Sequence, residues 1–155
     1  MTLQPLAAAV HRAYTADLDA GDFYRMLRLR VDVFVVEQEC PYPELDGRDL
    51  EPTTRHFWID SADGHVLGYL RLLEDPDGTY RIGRVCTAKA ARGLGLARKL
   101  MNAAVAEAQH SPVVLAAQTY AKEFYRSFGF QEVGDEYLED GIPHVNMRRE
   151  PRISR

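Results

Sequence analysis

Three consecutive stretches in the middle of the chain, "RHFWID", "VLGYLRLLE" and "TYRIGRVCT", alternate apolar and polar positions with a period of two. That period marks strands. The connections "SADGH" and "DPDG" are too short for a crossover, so the stretches predict an antiparallel meander. Upstream, "GDFYRMLRLRVDVFVVEQ" sets Phe23, Met26, Leu27 and Phe34 near helical spacing and predicts a helix from about Asp22 to Val36. Its end is ambiguous, because "VDVFVV" also suits a strand. "LAAAVHRAY" (Leu6–Tyr14) alternates loosely and suits a first strand. "ECPYPELDGRDLEPTT" (Glu39–Thr54), with three Pro and one Gly, predicts a long loop.

After the meander the period changes. "GLGLARKLMNAAVAEAQ" places Leu94, Ala97, Leu100, Met101, Ala104, Val105 and Ala108 on one helical face. "PVVLAA" is short and uniformly apolar, the pattern of a buried central strand. "YAKEFYRSF" is a helix closed by Gly129 in the C′ position. "FQEVGDEYLE" and "PHVNMRR" are closing strands around "DGIP". The order β-α-(loop)-β-β-β-α-β-α-β-β predicts an α+β fold, a mixed sheet with helices packed on it.

At 155 residues, with no repeat or linker, the chain (residues 1–155) reads as one domain. No apolar run approaches the roughly 20 residues that span a bilayer. No signal peptide is read at the N-terminus. Two cysteines, Cys40 and Cys86, make no disulfide framework, so a reducing cytoplasm is expected. The net charge of −4 argues against a general nucleic-acid binder. Glu37, Glu39, Glu44, Asp46, Asp49 and Glu51 crowd one short stretch; Lys89, Arg92, Arg98, Lys99, Lys122 and Arg126 come later. Either set can be a solvated face or a ligand-facing one.

The candidate chemistry begins at "CTAKAARGLGLARKLM" (Cys86–Met101), where a strand turns into a helix through few side chains. A helix start leaves backbone N–H groups without partners, and its dipole adds partial positive charge. Together they favour an anion by roughly 0.3–2 kcal/mol. Gly93 and Gly95 uncover those amides, and Arg92 adds a fork suited to phosphate. A dinucleotide fingerprint fails, since Arg98 stands where its third Gly would be, and Gly-Lys-Ser/Thr is absent.

Arg92-Gly93-Leu94-Gly95-Leu96-Ala97 resembles the pyrophosphate loop of the GNAT superfamily of acyl-CoA N-acyltransferases. About 25 residues on, Ala121, Tyr125, Gly129 and Phe130 of "QTYAKEFYRSFGF" resemble its second signature, with Gln118 in place of the usual Asn. "LRLRVDVFVVEQECPYPELDG", "RHF" and "YLEDGIPHVNMRR" look like the ElaA-like branch. Lys89 departs from the Pro many relatives carry. The resemblance implies a mostly antiparallel sheet of about six to seven strands flanked by helices. It implies acetyl-CoA as co-substrate, held by Arg92, Gly93, Leu94, Gly95, Leu96, Ala97 and Arg98, by the backbone of Val85, Cys86 and Thr87, and by Gln118 and Tyr125. It also implies Tyr125 as general acid for the leaving thiolate.

Transfer to an amine needs a base, since only about one in 2,500 amines of pKa near 10.4 is unprotonated at pH 7. Glu37, at the end of the first helix, is the first candidate; Glu139, Asp140 and His144 are others. Each has a plain alternative: Glu37 as a solvated helix end, His144 as a packed strand residue. Glu37, Glu139, Asp140 and His144 are expected to line the acceptor side, where acidic charge would suit a cationic amine. Tyr120 is a weaker site candidate, and Cys86, Phe57 and Trp58 read as packing. The His and Cys make no zinc pattern, so no metal is expected. The expected partners are acetyl-CoA and an amine-bearing small molecule or protein, with no nucleic acid or membrane; a second copy of the chain stays open. A non-catalytic acyl-CoA sensor and a nucleotide-binding protein are the competing readings.

Overall fold

Residues 9–153 are described by a computed structural model, and three strands form where the period of two placed them. A first short strand, β1 (His11–Tyr14), precedes helix α1 (Ala20–Val31). The earlier part of the expected first strand, residues 6–8, lies outside the described residues. Asp19 caps α1 by accepting the Asp22 N–H at 2.7 Å. The helix does not give way to a strand at "VDVFVV". It widens into a π-helical turn, Asp32–Glu37, which carries Glu37 to the end of the element. The meander follows as β2 (Arg55–Asp60), β3 (Val66–Glu74) and β4 (Tyr80–Thr87). Then come α2 (Leu96–Glu107), β5 (Val113–Gln118), a short α3 (Lys122–Arg126), β6 (Gln131–Glu139) and β7 (Ile142–Arg149). The end of α3 is closed as expected: Gly129 N–H donates to Arg126 O at 2.9 Å and Phe130 N–H to Tyr125 O at 3.4 Å.

The seven strands form one sheet in the order β1-β2-β3-β4-β5-β7-β6, antiparallel except for β4 and β5. Helix α1, through Met26 and Leu29, and the π-helical turn after it, through Val33, cover one face and pack on Trp58, Tyr69 and Cys86. Helix α2 covers the other face, where Leu96, Leu100, Met101 and Ala104 meet Phe57, Leu72, Ile82 and Leu115. Phe57 and Trp58 are both core, as expected.

Two irregularities shape the middle of the sheet. β4 and β5 pair only at Tyr80–Val113 and Arg81–Val114, then part. β5 is therefore central yet not buried on both sides. Val113, Leu115 and Ala117 are buried, while Ala116 is exposed and Val114 and Gln118 are half-buried, because the gap opens on that face. On the other edge of β4, Tyr69 pairs with Cys86 and Arg71 with Gly83, so Leu70 faces two residues, Arg84 and Val85. This bulge holds Arg84 at φ 55°.

Of the acidic stretch after α1, Glu37 and Glu39 stay exposed, whereas Glu44, Asp46 and Asp49 are drawn into a network of ion pairs. The guanidinium of the fully buried Arg30 donates to Glu44 at 2.6 Å and to Asp49 at 2.7 and 3.0 Å. Arg71 donates to Asp46 at 2.6 Å and to Asp49 at 3.2 Å, and Arg84 lies 2.8 Å from Glu44. Glu51 pairs with Arg48. Hydrogen bonds from Arg71 hold the Asp46 carboxyl well below the usual range. Burial works against ionisation of Asp49, but Arg30 and Arg71 outweigh it and lower its pKa. A buried charge must be paired to be tolerated, and the long loop supplies partners that no local pattern announces.

Candidate active site

The parting of β4 and β5 opens a cleft of about 1060 Å³. One wall is β4, with Val85, Cys86 and Thr87; past Arg81 the strand has no β5 partner. Gln118 ends β5 on the opposite wall, and Tyr125 enters from α3. Glu37 closes one end from the π-helical turn, while Glu139, Asp140 and His144 reach in from the β6–β7 hairpin. The structure thus brings these expected residues, which span positions 37 to 144, to one cavity.

A second concavity of about 230 Å³ adjoins it, lined by Arg92, Gly93, Gly95, Leu96, Ala97 and Arg98, with Thr87 and Phe124. Gly95 occupies the N-cap of α2 at φ 78° and Gly93 has φ 80°. A Cβ at either would meet no atom within 4 Å, so packing does not demand glycine there. The backbone conformation does, and the space a Cβ would take is the concavity itself. No side chain caps α2, which leaves its first amides turned to that space. Leu94 lines neither cavity; the side chain of Leu96 is buried under α2.

Arg92 is more committed than its sequence suggests. Its fork donates to both Glu37 oxygens at 2.6 and 2.7 Å, and its Nε–H donates to Thr87 O at 3.2 Å. Those hydrogen bonds lower the pKa of Glu37. The other cations near the turn are engaged too. Lys122 pairs with Glu132 and Glu136, Arg126 with Glu123 and Glu132, and Arg98 stacks over Phe124 and Phe128. Three of the six basic residues expected around the phosphate turn, Arg92, Lys122 and Arg126, thus stand in ion pairs, while Arg98 keeps its charge against two aromatic rings.

Tyr125 is half-buried against Phe124 and Phe130. Burial pushes its phenol pKa up, so it stays protonated. Cys86 turns its side chain into the core beneath α1, and burial pushes its thiol up as well. Only its backbone serves the cleft. His144 has an imidazole whose Nδ1 lies 2.7 Å from Ile142 O and whose Nε2 lies 3.6 Å from Glu139. Tyr120 sits at the mouth, largely exposed.

Residues outside the sequence reading also line the cleft. Gln38 accepts from Gln118 Nε2 at 3.4 Å, and the Cys40 thiol donates to Asp140 O at 3.5 Å. Arg71 and Arg84 contribute to its floor. All depend on contacts between distant segments, and no local motif flags them.

The match to an acetyltransferase (GNAT) domain spans residues 31–151. A UPF0039 protein of Mycobacterium tuberculosis is 51% identical over 93% of this chain and 94% of its own. Protein ElaA of Escherichia coli is 40% identical over 87% of this chain and 92% of its own. The crystal structure of an acyl-CoA N-acyltransferase from Pseudomonas aeruginosa matches with a TM-score of 0.87 at 45% identity, over 92% of this chain and 99% of that one.

Proposed function

The chain belongs to the GNAT acetyltransferase domain family, and from that premise we propose that it moves an acetyl group from acetyl-CoA to a primary amine by direct attack on the thioester. The observation that carries this reading is the continuity of two spaces. The uncovered amides at the start of α2 open beside a gap in the sheet that Tyr125 also lines. A diphosphate on the amides of residues 95–98 would send a pantetheine arm along the unpaired edge of β4. A backbone N–H of Val85–Thr87 would then polarise the thioester carbonyl, the kind of preorganised donor that stabilises a developing oxyanion.

Tyr125 serves as hydrogen-bond donor to the departing sulfur. With its pKa raised by burial, full transfer to a thiolate is uphill. The phenol therefore steadies the thiolate, and solvent completes the protonation. Direct attack is supported by the state of Cys86, whose buried, neutral thiol is no nucleophile. Glu37 acts as the charge partner that sets Arg92 at the mouth, because the fork of Arg92 engages both its oxygens. Glu139, Asp140 and His144 frame the acceptor side.

Calorimetry with CoA, followed by thiol release from acetyl-CoA across a panel of primary amines, tests the reading. Binding in the micromolar range and amine-dependent release are expected. Binding without release on any amine would replace the enzyme with an acyl-CoA sensor. No binding at all would remove the acyl-CoA reading.

A further inference from the structure

The parity of β5 and β7 divides the cleft into two sides. Leu115 and Ala117 of β5 and Val145 and Met147 of β7 pack in the core with α2. Gln118 and His144, one residue out of phase and paired across the two strands, point to the opposite face. That is the α1 face, as the contact of Gln118 with Gln38 confirms. The phosphate turn and Tyr125 belong to α2 and α3. A thioester threaded between β4 and β5 therefore offers its sulfur to the side of Tyr125 and leaves its carbonyl carbon open towards His144.

The ring of His144 is held in one state. A carbonyl oxygen can only accept, so the 2.7 Å contact with Ile142 O puts the hydrogen on Nδ1 and leaves the lone pair of the neutral ring on Nε2. Tyr137 stacks on the ring at 6.0 Å between centroids, and its hydroxyl is tied to Asn146 at 2.7 Å. Nε2 faces Glu139 at 3.6 Å, outside hydrogen-bond range but close enough to stabilise a positive charge. Other charged or polar residues that line the same cleft include Asp140 in the turn, Gln118 on β5, Gln38 and Cys40 after α1, and Arg81 on β4.

We propose that His144 is the catalytic base that takes the proton of the attacking amine, with Glu139 as the positioning residue that holds the imidazolium. The inference rests on the acyltransferase reading above. As the amine nitrogen bonds to the thioester carbon, Nε2 accepts one of its protons. The C–S bond then breaks with its electron pair on sulfur, the thiolate takes a proton from solvent, and the imidazolium returns its proton to water. Glu37 is less suited to this step, because both its oxygens accept from Arg92.

The test compares the intact chain with His144→Gln, using thiol release from acetyl-CoA against an amine that the wild type accepts, from pH 5.5 to 9.5. The variant should lose about 100-fold or more in kcat/KM for the amine while binding CoA within about threefold of wild type. The variant should lose one of the two proton dependences of the acid limb, keeping the one that belongs to the amine's own ionisation, and added imidazole should restore part of the rate. Full rate with an unchanged acid limb would overturn the proposal while leaving the acyltransferase standing. Wild-type protein that binds CoA but releases no thiol with any amine would overturn both. Long-range ¹⁵N–¹H correlation on histidine-labelled wild type gives a readout that needs no variant. A hydrogen on Nδ1 of neutral His144 is expected, and a hydrogen on Nε2 would overturn the proposal even if the variant failed to fold.

Discussion

Tyr125 illustrates what one side chain contributes when its environment forbids ionisation. Packed on Phe124 and Phe130, with its pKa raised by burial, it stays a neutral hydrogen-bond donor, and it lines the gap in the sheet but not the concavity at the start of α2 where the diphosphate would lie. Tyr125→Phe should therefore lower kcat far more than it raises the KM for acetyl-CoA. A positioned acid commonly contributes 10²–10⁴-fold; a thiolate leaves readily, so a loss of about 10²-fold is expected. Steady-state kinetics at saturating amine separates the two constants, and an equal loss in CoA affinity would reduce the tyrosine to a cofactor contact. Tyr125 is legible in the sequence only through the resemblance of "QTYAKEFYRSFGF" to the second family signature, a pattern contained within one short stretch of chain. The ion pair of Glu37 with Arg92 is not. Its partners stand 55 positions apart, and no periodicity links the end of one helix to the start of another. The same holds for His144: its residue type marked it as a candidate, but its tautomer follows from the contact with Ile142 O and its face from the pairing of β7 with β5.

At the scale of elements, the glycine turn and the meander followed from local rules of period and backbone freedom. The parting of β4 from β5 did not, because strand pairing joins segments separated by a whole helix. "PVVLAA" showed that β5 is central but not that one of its faces would border a void. The turn offers a clean separation of ligand binding from folding. Gly95 and Gly64 both lie in the left-handed region, at φ 78° and 86°, and a Cβ at either would touch nothing within 4 Å. Alanine at either position should cost about 1 kcal/mol in stability, measured by urea unfolding, since the backbone strain is alike. Only Gly95→Ala intrudes on the concavity at α2, so it alone should weaken CoA, by about tenfold or more in calorimetry. Equal CoA affinity in the two variants would detach the turn from the diphosphate.

Across the whole molecule, segments far apart in sequence are joined at His56. The Thr15 hydroxyl gives its hydrogen to Asp49 O, so towards His56 Nε2, 2.7 Å away, it can only accept. His56 Nδ1 must then accept from the Tyr69 hydroxyl at 2.6 Å. This directed chain ties the end of β1, the long loop, β2 and β3 together, and it requires a neutral ring. Burial is the main cause that lowers the His56 pKa, to about 4; Arg30 and Arg71 add to it, and Asp49 opposes it. Below the unfolded value of 6.5, the unfolded chain binds a proton that the folded chain refuses. The stabilising contribution is therefore complete above pH 6.5 and lost as pH falls towards 4. The gap from 6.5 to about 4, at about 1.36 kcal/mol per unit, amounts to roughly 3 kcal/mol. Asp46 and Asp49, both with lowered pKa values, extend the loss below pH 4. Urea unfolding should therefore give a level stability from pH 8 to 6.5 and a steep fall to pH 4.5. His56→Gln, whose amide can both donate to Thr15 and accept from Tyr69, should flatten that fall. A wild-type profile that stays level down to pH 4.5 would show that the ring takes its proton without breaking the chain, and that the long loop is held by its ion pairs alone.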